Sequence, residues 1–179
     1  MGNSGSGKDS IISGVVKRYP HELKKIIQAR RYITRSPSET ENNYYIDNAE
    51  FKIMENKGKF ALKWHIYGLD YGVPIEIEDW LKKGHPVLVN VSRLVMEEAR
   101  EKYENLKVVF IEVPFEITVK RIKNRGREAQ NRLEERIERA RINQHFLEAD
   151  FKIDNSGVLD DAVDHLLNYL LKVINQNDL

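Results

Sequence analysis

Ile11, Ile12, Val15 and Val16 recur at helical spacing as far as Tyr19, where Pro20 stops the pattern. Ahead of this helix stands only a glycine-rich segment. The stretch Lys25 to Thr34 carries short apolar pairs and ends in β-branched and aromatic residues, which predicts a strand running into the polar loop Arg35 to Asn43. A short strand at Tyr44 to Ile46, a helix from Asn48 that ends near Gly58, and a strand over Phe60 to Tyr67 follow. Pro74 is expected to open a helix through Trp80 and Leu81 that Gly84 closes. The apolar runs Pro86 to Val91 and Val108 to Val113 read as buried strands, with a helix from about Leu94 to Tyr103 between them, so a parallel crossover is expected. Pro114 ends the second run before another helix. Phe151 to Ile153 is a last short strand, and the spacing of Leu159, Ala162, Val163, Leu166, Leu167, Leu170 and Leu171 marks a closing amphipathic helix. The sum predicts a single three-layer α/β domain over residues 1–179 with no internal repeat.

The composition narrows the partners. Hydrophobic residues make up 41% and charged residues 32% of the 179-residue chain, enough to bury a core and unlike a disordered segment. With 29 basic and 28 acidic residues the net charge is +1, so no global field points to nucleic acid or membrane. The absence of cysteine removes disulfides, thiolate metal sites and cysteine nucleophiles, and it fits a reducing interior. The five histidines stand at no metal-ligand spacing. No apolar run approaches the ~18 residues a membrane span needs. A cytoplasmic address is therefore expected.

The glycine-rich segment changes the picture most. Gly2-xxxx-Gly7-Lys8 followed by a polar residue has the spacing of a phosphate-binding loop, whose backbone N–H groups wrap a polyphosphate while the lysine meets its outer phosphates. Side chains would block that approach, and the helix that follows adds its N-terminal dipole. A flexible linker has a similar composition. The hydroxyl residue usual after the lysine is replaced by Asp9, with Ser10 next, so the metal ligand is a carboxylate or a displaced hydroxyl.

Local charge adds to the loop. Between Lys120 and Arg141 nine basic residues face four acidic ones, a net of +5 in a chain whose total is +1. Arg125, Arg127, Arg132 and Arg136 belong to this segment. A second cluster, Arg30, Arg31 and Arg35, lies at a strand exit. Phosphoryl transfer needs this inventory: an anchored donor, an anchored acceptor and positive charge for the equatorial oxygens. No Ser/His/Asp or other nucleophile–base arrangement stands at an informative spacing. An acceptor that is already a phosphate needs none, because its oxygen is largely ionised at pH 7.

These motifs resemble the guanylate-kinase-like branch of P-loop kinases, and within it the ribose 1,5-bisphosphate phosphokinases. The resemblance covers essentially the whole chain. It is carried by GNSGSGKDS (Gly2 to Ser10), RRYITR (Arg30 to Arg35), Glu41-Asn42, WHIYGLDYG (Trp64 to Gly72), VLVNVSR (Val87 to Arg93) and NRGRE (Asn124 to Glu128). It implies a P-loop NTPase fold with a mostly parallel central sheet, an acceptor-binding insert at about 35–72 and an arginine-rich lid at about 125–140. Guanylate kinases carry a second phosphate-binding arginine where Ser38 stands, a guanine-reading glutamate where Lys63 stands, and carboxylates where Asn90 and Ser92 stand. Losing carboxylates removes base recognition and lessens repulsion of a more anionic acceptor.

The resemblance therefore implies ATP-dependent conversion of ribose 1,5-bisphosphate to 5-phosphoribosyl 1-diphosphate. The alternatives are a nucleoside-monophosphate kinase and a non-catalytic phosphate-binding module. ATP and Mg2+ would be held by Gly2, Asn3, Ser4, Gly5, Ser6, Gly7, Lys8, Asp9 and Ser10, the last two as metal ligands, with Asn155 against adenine. Arg31, Arg35, Glu41, Tyr71, Asn90, Ser92 and Arg93 would line the acceptor site. Lys8, Arg125 and Arg136 would be catalytic, the two arginines as a lid. A monomer or homodimer without nucleic-acid or membrane partners is expected. The strand that launches such a loop in this family is missing from the sequence, as a start placed too late or a true truncation would leave it.

Overall fold

A computed structural model of the chain describes residues 1–36, 42–124 and 130–177. The chain divides into two compact units, one formed by residues 1–17 with 107–179 and the other by residues 18–106.

The first unit holds helix α1 (Lys8–Arg18), strand β7 (Val109–Glu112), helices α5 (Phe115–Asn124) and α6 (Gln130–Ile142), strand β8 (Phe151–Asp154) and helix α7 (Leu159–Asn177). β7 and β8 run parallel in unbroken register, from Val109 opposite Phe151 to Glu112 opposite Asp154. Phe110 and Ile111 are both buried, as in a strand covered on its two faces, and so is Ile153 opposite Ile111; Ile11 and Val15 of α1 and Ala162, Val163 and Leu166 of α7 are buried as well. Phe151 stacks on Tyr169 of α7 with ring centroids 4.2 Å apart. Ahead of the glycine loop, the Met1 carbonyl accepts a hydrogen bond from the Ile111 N–H at 2.8 Å, and Gly2 forms a parallel bridge with Ile111. The loop is thus launched from the edge of β7 by a single bridge.

The second unit contains β1 (Ile27–Ala29), β2 (Tyr32–Ile33), β3 (Tyr44–Tyr45), α2 (Asn48–Asn56), β4 (Phe60–Ile66), β5 (Leu69–Pro74), α3 (Ile77–Lys82), β6 (Val87–Val89) and α4 (Met96–Lys102), the last preceded by a 3-10 turn at Arg93–Val95. β1 and β6 form a parallel pair. The other strands make a mixed four-stranded sheet in the order β3-β2-β5-β4. Asp47 caps α2, its side chain accepting from the Glu50 N–H at 2.7 Å, one residue ahead of the expected start at Asn48.

Two expectations are corrected here. The single strand expected from Lys25 to Thr34 is two strands in different sheets, broken at Arg30-Arg31: β1 pairs with β6 and β2 pairs with β3 and β5. Backbone pairing decides the break, because the two halves find their ladder partners on different elements. The helix expected to open at Pro74 instead begins at Ile77, and Pro74 closes β5. Pairing with β4 carries the extended chain through Pro74 as far as the Ile75 N–H, which donates to the Lys59 carbonyl at 3.0 Å. β5 itself is absent from the sequence reading. It returns from β4 through Tyr67-Gly68, whose φ values of 56° and 68° are those of a type I′ hairpin turn. Tyrosine seldom adopts positive φ, so the local sequence hides the turn.

The strands Pro86–Val91 and Val108–Val113 are present as the shorter β6 and β7, but only β7 is buried as expected while β6 is half-buried; the parallel partner of each is β1 and β8 respectively. Helices flanking parallel pairs are the α/β signature that the hydrophobic pattern predicts.

Candidate active site residues in the two units

The glycine segment folds as a tight cradle. Gly5 and Gly7 take φ of 81° and 82°, values that side chains oppose. The Asn3 carbonyl accepts from the Ser6 N–H at 3.1 Å and from Lys8 Nζ at 2.7 Å, and Lys8 Nζ also lies 3.4 Å from Ser6 Oγ. The lysine therefore folds back along its own loop. Among the described residues the amides of Gly5 and Gly7 have no hydrogen-bond partner. The Gly7 carbonyl accepts from Ile11 at 3.0 Å, the first bond of α1, so the loop runs directly into the helix N-terminus. Unused N–H groups, a lysine and a helix dipole converge on one short segment, the physical requirement for binding phosphate.

The back of the loop is pinned. Asn3 Nδ2 donates to the Ala140 carbonyl of α6 at 3.2 Å, and Asn155 Nδ2 donates to the Ser6 carbonyl at 2.8 Å. Asn155, expected against adenine, is buried with its amide nitrogen on the loop. Asp9 stands half-buried in the first turn of α1 and Ser10 is exposed beside it. No group of three or more histidine or carboxylate ligands occurs among the described residues. Arg136 is half-buried on α6. Arg125 and Arg127 lie outside the described residues, as does the side chain of Arg132.

In the second unit the three arginines of the strand exit separate into different roles. The Arg30 guanidinium covers the Tyr44 ring at 4.0 Å and its Nη2 donates to the Asn43 carbonyl at 3.0 Å. Arg31 is 9% exposed; its Nε donates to Asn43 Oδ1 at 3.3 Å and its guanidinium lies 5.8 Å from the centroid of Tyr71. Among the described residues no carboxylate pairs with Arg31. A buried cation without an acid is expensive unless an anion arrives to meet it. Arg35 is half-buried in the turn after β2. Tyr71 stacks on Trp64 at 5.2 Å with the ring planes nearly parallel at 5°.

At the exit of β6, Asn90 is buried. Ser92 Oγ accepts from the Leu94 N–H at 3.3 Å and so caps the 3-10 turn that Arg93 begins. Capping accounts for Ser92 structurally and leaves its hydroxyl proton available to a ligand. Lys63 pairs with Glu55 at the surface. Burial, with Glu76 nearby, holds the Tyr32 hydroxyl above its ordinary pKa and hence protonated. Glu41 and Ser38 lie outside the described residues. Asn43, which anchors both Arg30 and Arg31, escaped the sequence reading because it follows a polar loop that offers no periodic signal.

The profile of the guanylate kinase family matches residues 1–173. The chain belongs to the guanylate kinase family. Within the family its similarity runs toward one activity. The chain is 40% identical over 172 residues to the ribose 1,5-bisphosphate phosphokinase PhnN of Pseudomonas paraeruginosa, covering 95% of this chain and 92% of that protein. It is 39% identical to the Pseudomonas fluorescens protein of the same name, over 93% of this chain and 90% of that one. The Desulfomicrobium baculatum protein of that name is 37% identical over 96% and 92% respectively. A crystal structure of guanylate kinase from Anaplasma phagocytophilum shares the fold, with a TM-score of 0.67 at 20% identity, covering 96% of this chain and 82% of that one. The family assignment agrees with the P-loop kinase fold read from the motifs. Among the described residues no helix is long and apolar enough to cross a membrane.

Proposed function

We propose that this chain is an ATP-dependent kinase that converts ribose 1,5-bisphosphate to 5-phosphoribosyl 1-diphosphate. The observation that carries the reading is the near-complete likeness to relatives of that name, 40% identity over 95% of the chain. The Gly5 and Gly7 amides, which have no hydrogen-bond partner among the described residues, and Arg31, which pairs with no carboxylate among the described residues, support it.

In this reading residues 1–179 act as one kinase domain, with an acceptor insert at about 35–72 and a lid at about 125–140; the family profile runs through both units. The backbone of Gly2 to Ser10 wraps the triphosphate of ATP, and Lys8 swings from the Asn3 carbonyl to the outer phosphates. Asp9 and Ser10 suit Mg2+, which takes one or two protein oxygens and completes its shell with phosphate and water. Bound there, the ion would supply positive charge to offset that of the phosphates. Arg31 and Arg35 hold acceptor phosphates, and Tyr71, Asn90, Ser92 and Arg93 hold the sugar bisphosphate in register, with Glu41 beside them. The ionised oxygen of the 1-phosphate attacks the γ-phosphorus, the bond to the bridging oxygen breaks, and ADP leaves with that electron pair. No protein base is required; Arg125 and Arg136 supply charge to the transferring group.

An ADP-release assay with ribose 1,5-bisphosphate, GMP and AMP as competing acceptors tests the reading. The expected result is the highest kcat/KM for the sugar bisphosphate. Faster turnover of GMP would overturn it in favour of a nucleoside-monophosphate kinase.

A further inference from the structure

Asn155 stands immediately after β8, and its backbone N–H donates to the Glu112 carbonyl at 3.0 Å, extending the β7–β8 ladder by one step. Its position is therefore fixed by the sheet. The side chain is 3% exposed and gives its Nδ2 hydrogen to the Ser6 carbonyl at 2.8 Å. It also lies flat against the next residue: a Cβ on Gly7 would fall 2.4 Å from Asn155 Nδ2.

The consequence follows from the planar trans peptide, in which the carbonyl of one residue and the N–H of the next point in opposite directions. With the Ser6 carbonyl held toward Asn155, the Gly7 N–H is directed to the opposite side, where it has no partner among the described residues. Glycine at position 7 makes the Ser6–Gly7 peptide easy to turn over, because both signs of φ are accessible to it. A turned peptide would present a carbonyl oxygen where an anion needs a donor.

We propose that Asn155 is a positioning residue of the phosphate loop, locking the Ser6–Gly7 peptide with its N–H toward the bound phosphates. The inference rests on the kinase reading above and replaces the adenine contact that the resemblance implies for Asn155: the residue acts on the loop and its effect is independent of the base.

Inorganic tripolyphosphate, which has no base, separates the two roles by calorimetry. Asn155→Ala is expected to weaken tripolyphosphate and ATP by the same factor, about tenfold for one lost hydrogen bond of this kind. Asn155→Asp, which packs as well as asparagine, should lose more than alanine, because its carboxylate would face the Ser6 carbonyl; a packing role predicts the reverse order. Thermal melting checks the fold, and Asn155→Ser, whose shorter side chain falls short of the Ser6 carbonyl, replaces alanine if alanine does not fold, with an equal loss expected for both ligands. Weaker ATP with unchanged tripolyphosphate, or no change in either, overturns the inference. A wild-type chain that binds neither ligand strikes the kinase reading itself, and the inference with it.

Discussion

The two regions we assign to phosphate groups are built from different materials. From Gly2 to Lys8 the donors belong to the backbone, and the surrounding side chains serve mainly to hold that backbone still: Asn155 on the Ser6 carbonyl, Asn3 on α6. From Arg30 to Arg35 the donors are guanidinium groups, and the backbone merely delivers them between two sheets. A backbone site tolerates almost no residue but glycine at its turning points. A side-chain site depends instead on what each long chain lies against. Arg30 and Arg31 are neighbours in sequence, yet one spreads over the ring of Tyr44 and the other is buried beside Tyr71 with Asn43 as its hydrogen-bond partner.

The strongest break in this comparison is Lys8→Ala. Lys8 is the one side chain through which the backbone-built loop contributes a full charge. Turnover should fall by about 10²–10³-fold, the scale of losing one charge-stabilising donor at a reacting phosphate. Its hydrogen bonds to the Asn3 carbonyl and to Ser6 lie within the same loop, and the melting temperature is to be followed alongside turnover so that a loss of fold is told apart from a loss of chemistry. Steady-state kinetics beside a thermal melt decide the matter, and wild-type turnover in the variant would remove the catalytic assignment.

The same contrast explains what could be read without coordinates. The loop was legible because its chemistry requires glycines at fixed spacing, and α1 was legible because Ile11 and Val15 recur on one buried face. Strand partnership was not. The run from Lys25 to Thr34 has strand character throughout, and nothing in it records that Ala29 pairs with Val89 while Tyr32 pairs with Gly72. The hairpin at Tyr67-Gly68 was hidden by a tyrosine in a conformation that tertiary pairing imposes. At the candidate site, the resemblance marks Arg31 and Asn155 as candidates, and only their surroundings tell them apart: no paired carboxylate among the described residues for one, a loop carbonyl for the other.

A paired substitution sharpens the side-chain half. Arg31→Ala should raise the acceptor KM about 10–100-fold, as expected for removing a charge-assisted bond to phosphate, with ATP affinity little changed. Arg30→Ala should leave the acceptor KM within about threefold and instead lose the stacking on Tyr44, about 0.5–1 kcal/mol at a partly exposed site. Equal effects of the two substitutions on KM would mean that the neighbouring guanidiniums share the ligand, and the division of labour would fall.

The smallest expected effect concerns how the arginine-bearing unit is held together. Lys102 Nζ lies 2.7 Å from Glu78 Oε1 and donates to the Ala61 carbonyl at 3.2 Å, linking α4 to α3 and β4. The Lys102 hydrogen bond lowers the Glu78 pKa from its ordinary 4.5, outweighing partial burial. Burial favours the neutral amine of Lys102, yet the bond and charge of Glu78 prevail and raise its pKa above 10.5. A depressed carboxylate stabilises the fold fully above its unfolded value and loses that contribution as pH falls through the lower folded value. A raised amine stabilises below its unfolded value and loses it as pH rises through the higher one. The pair therefore contributes fully between pH about 5 and 10. Both partners are partly solvated, so Glu78→Gln should cost no more than about 1 kcal/mol at pH 7. Urea denaturation of wild type and variant should converge once acid has protonated Glu78, whereas a difference that persists there would assign the loss to packing of α3 and leave the ion pair without a measurable role.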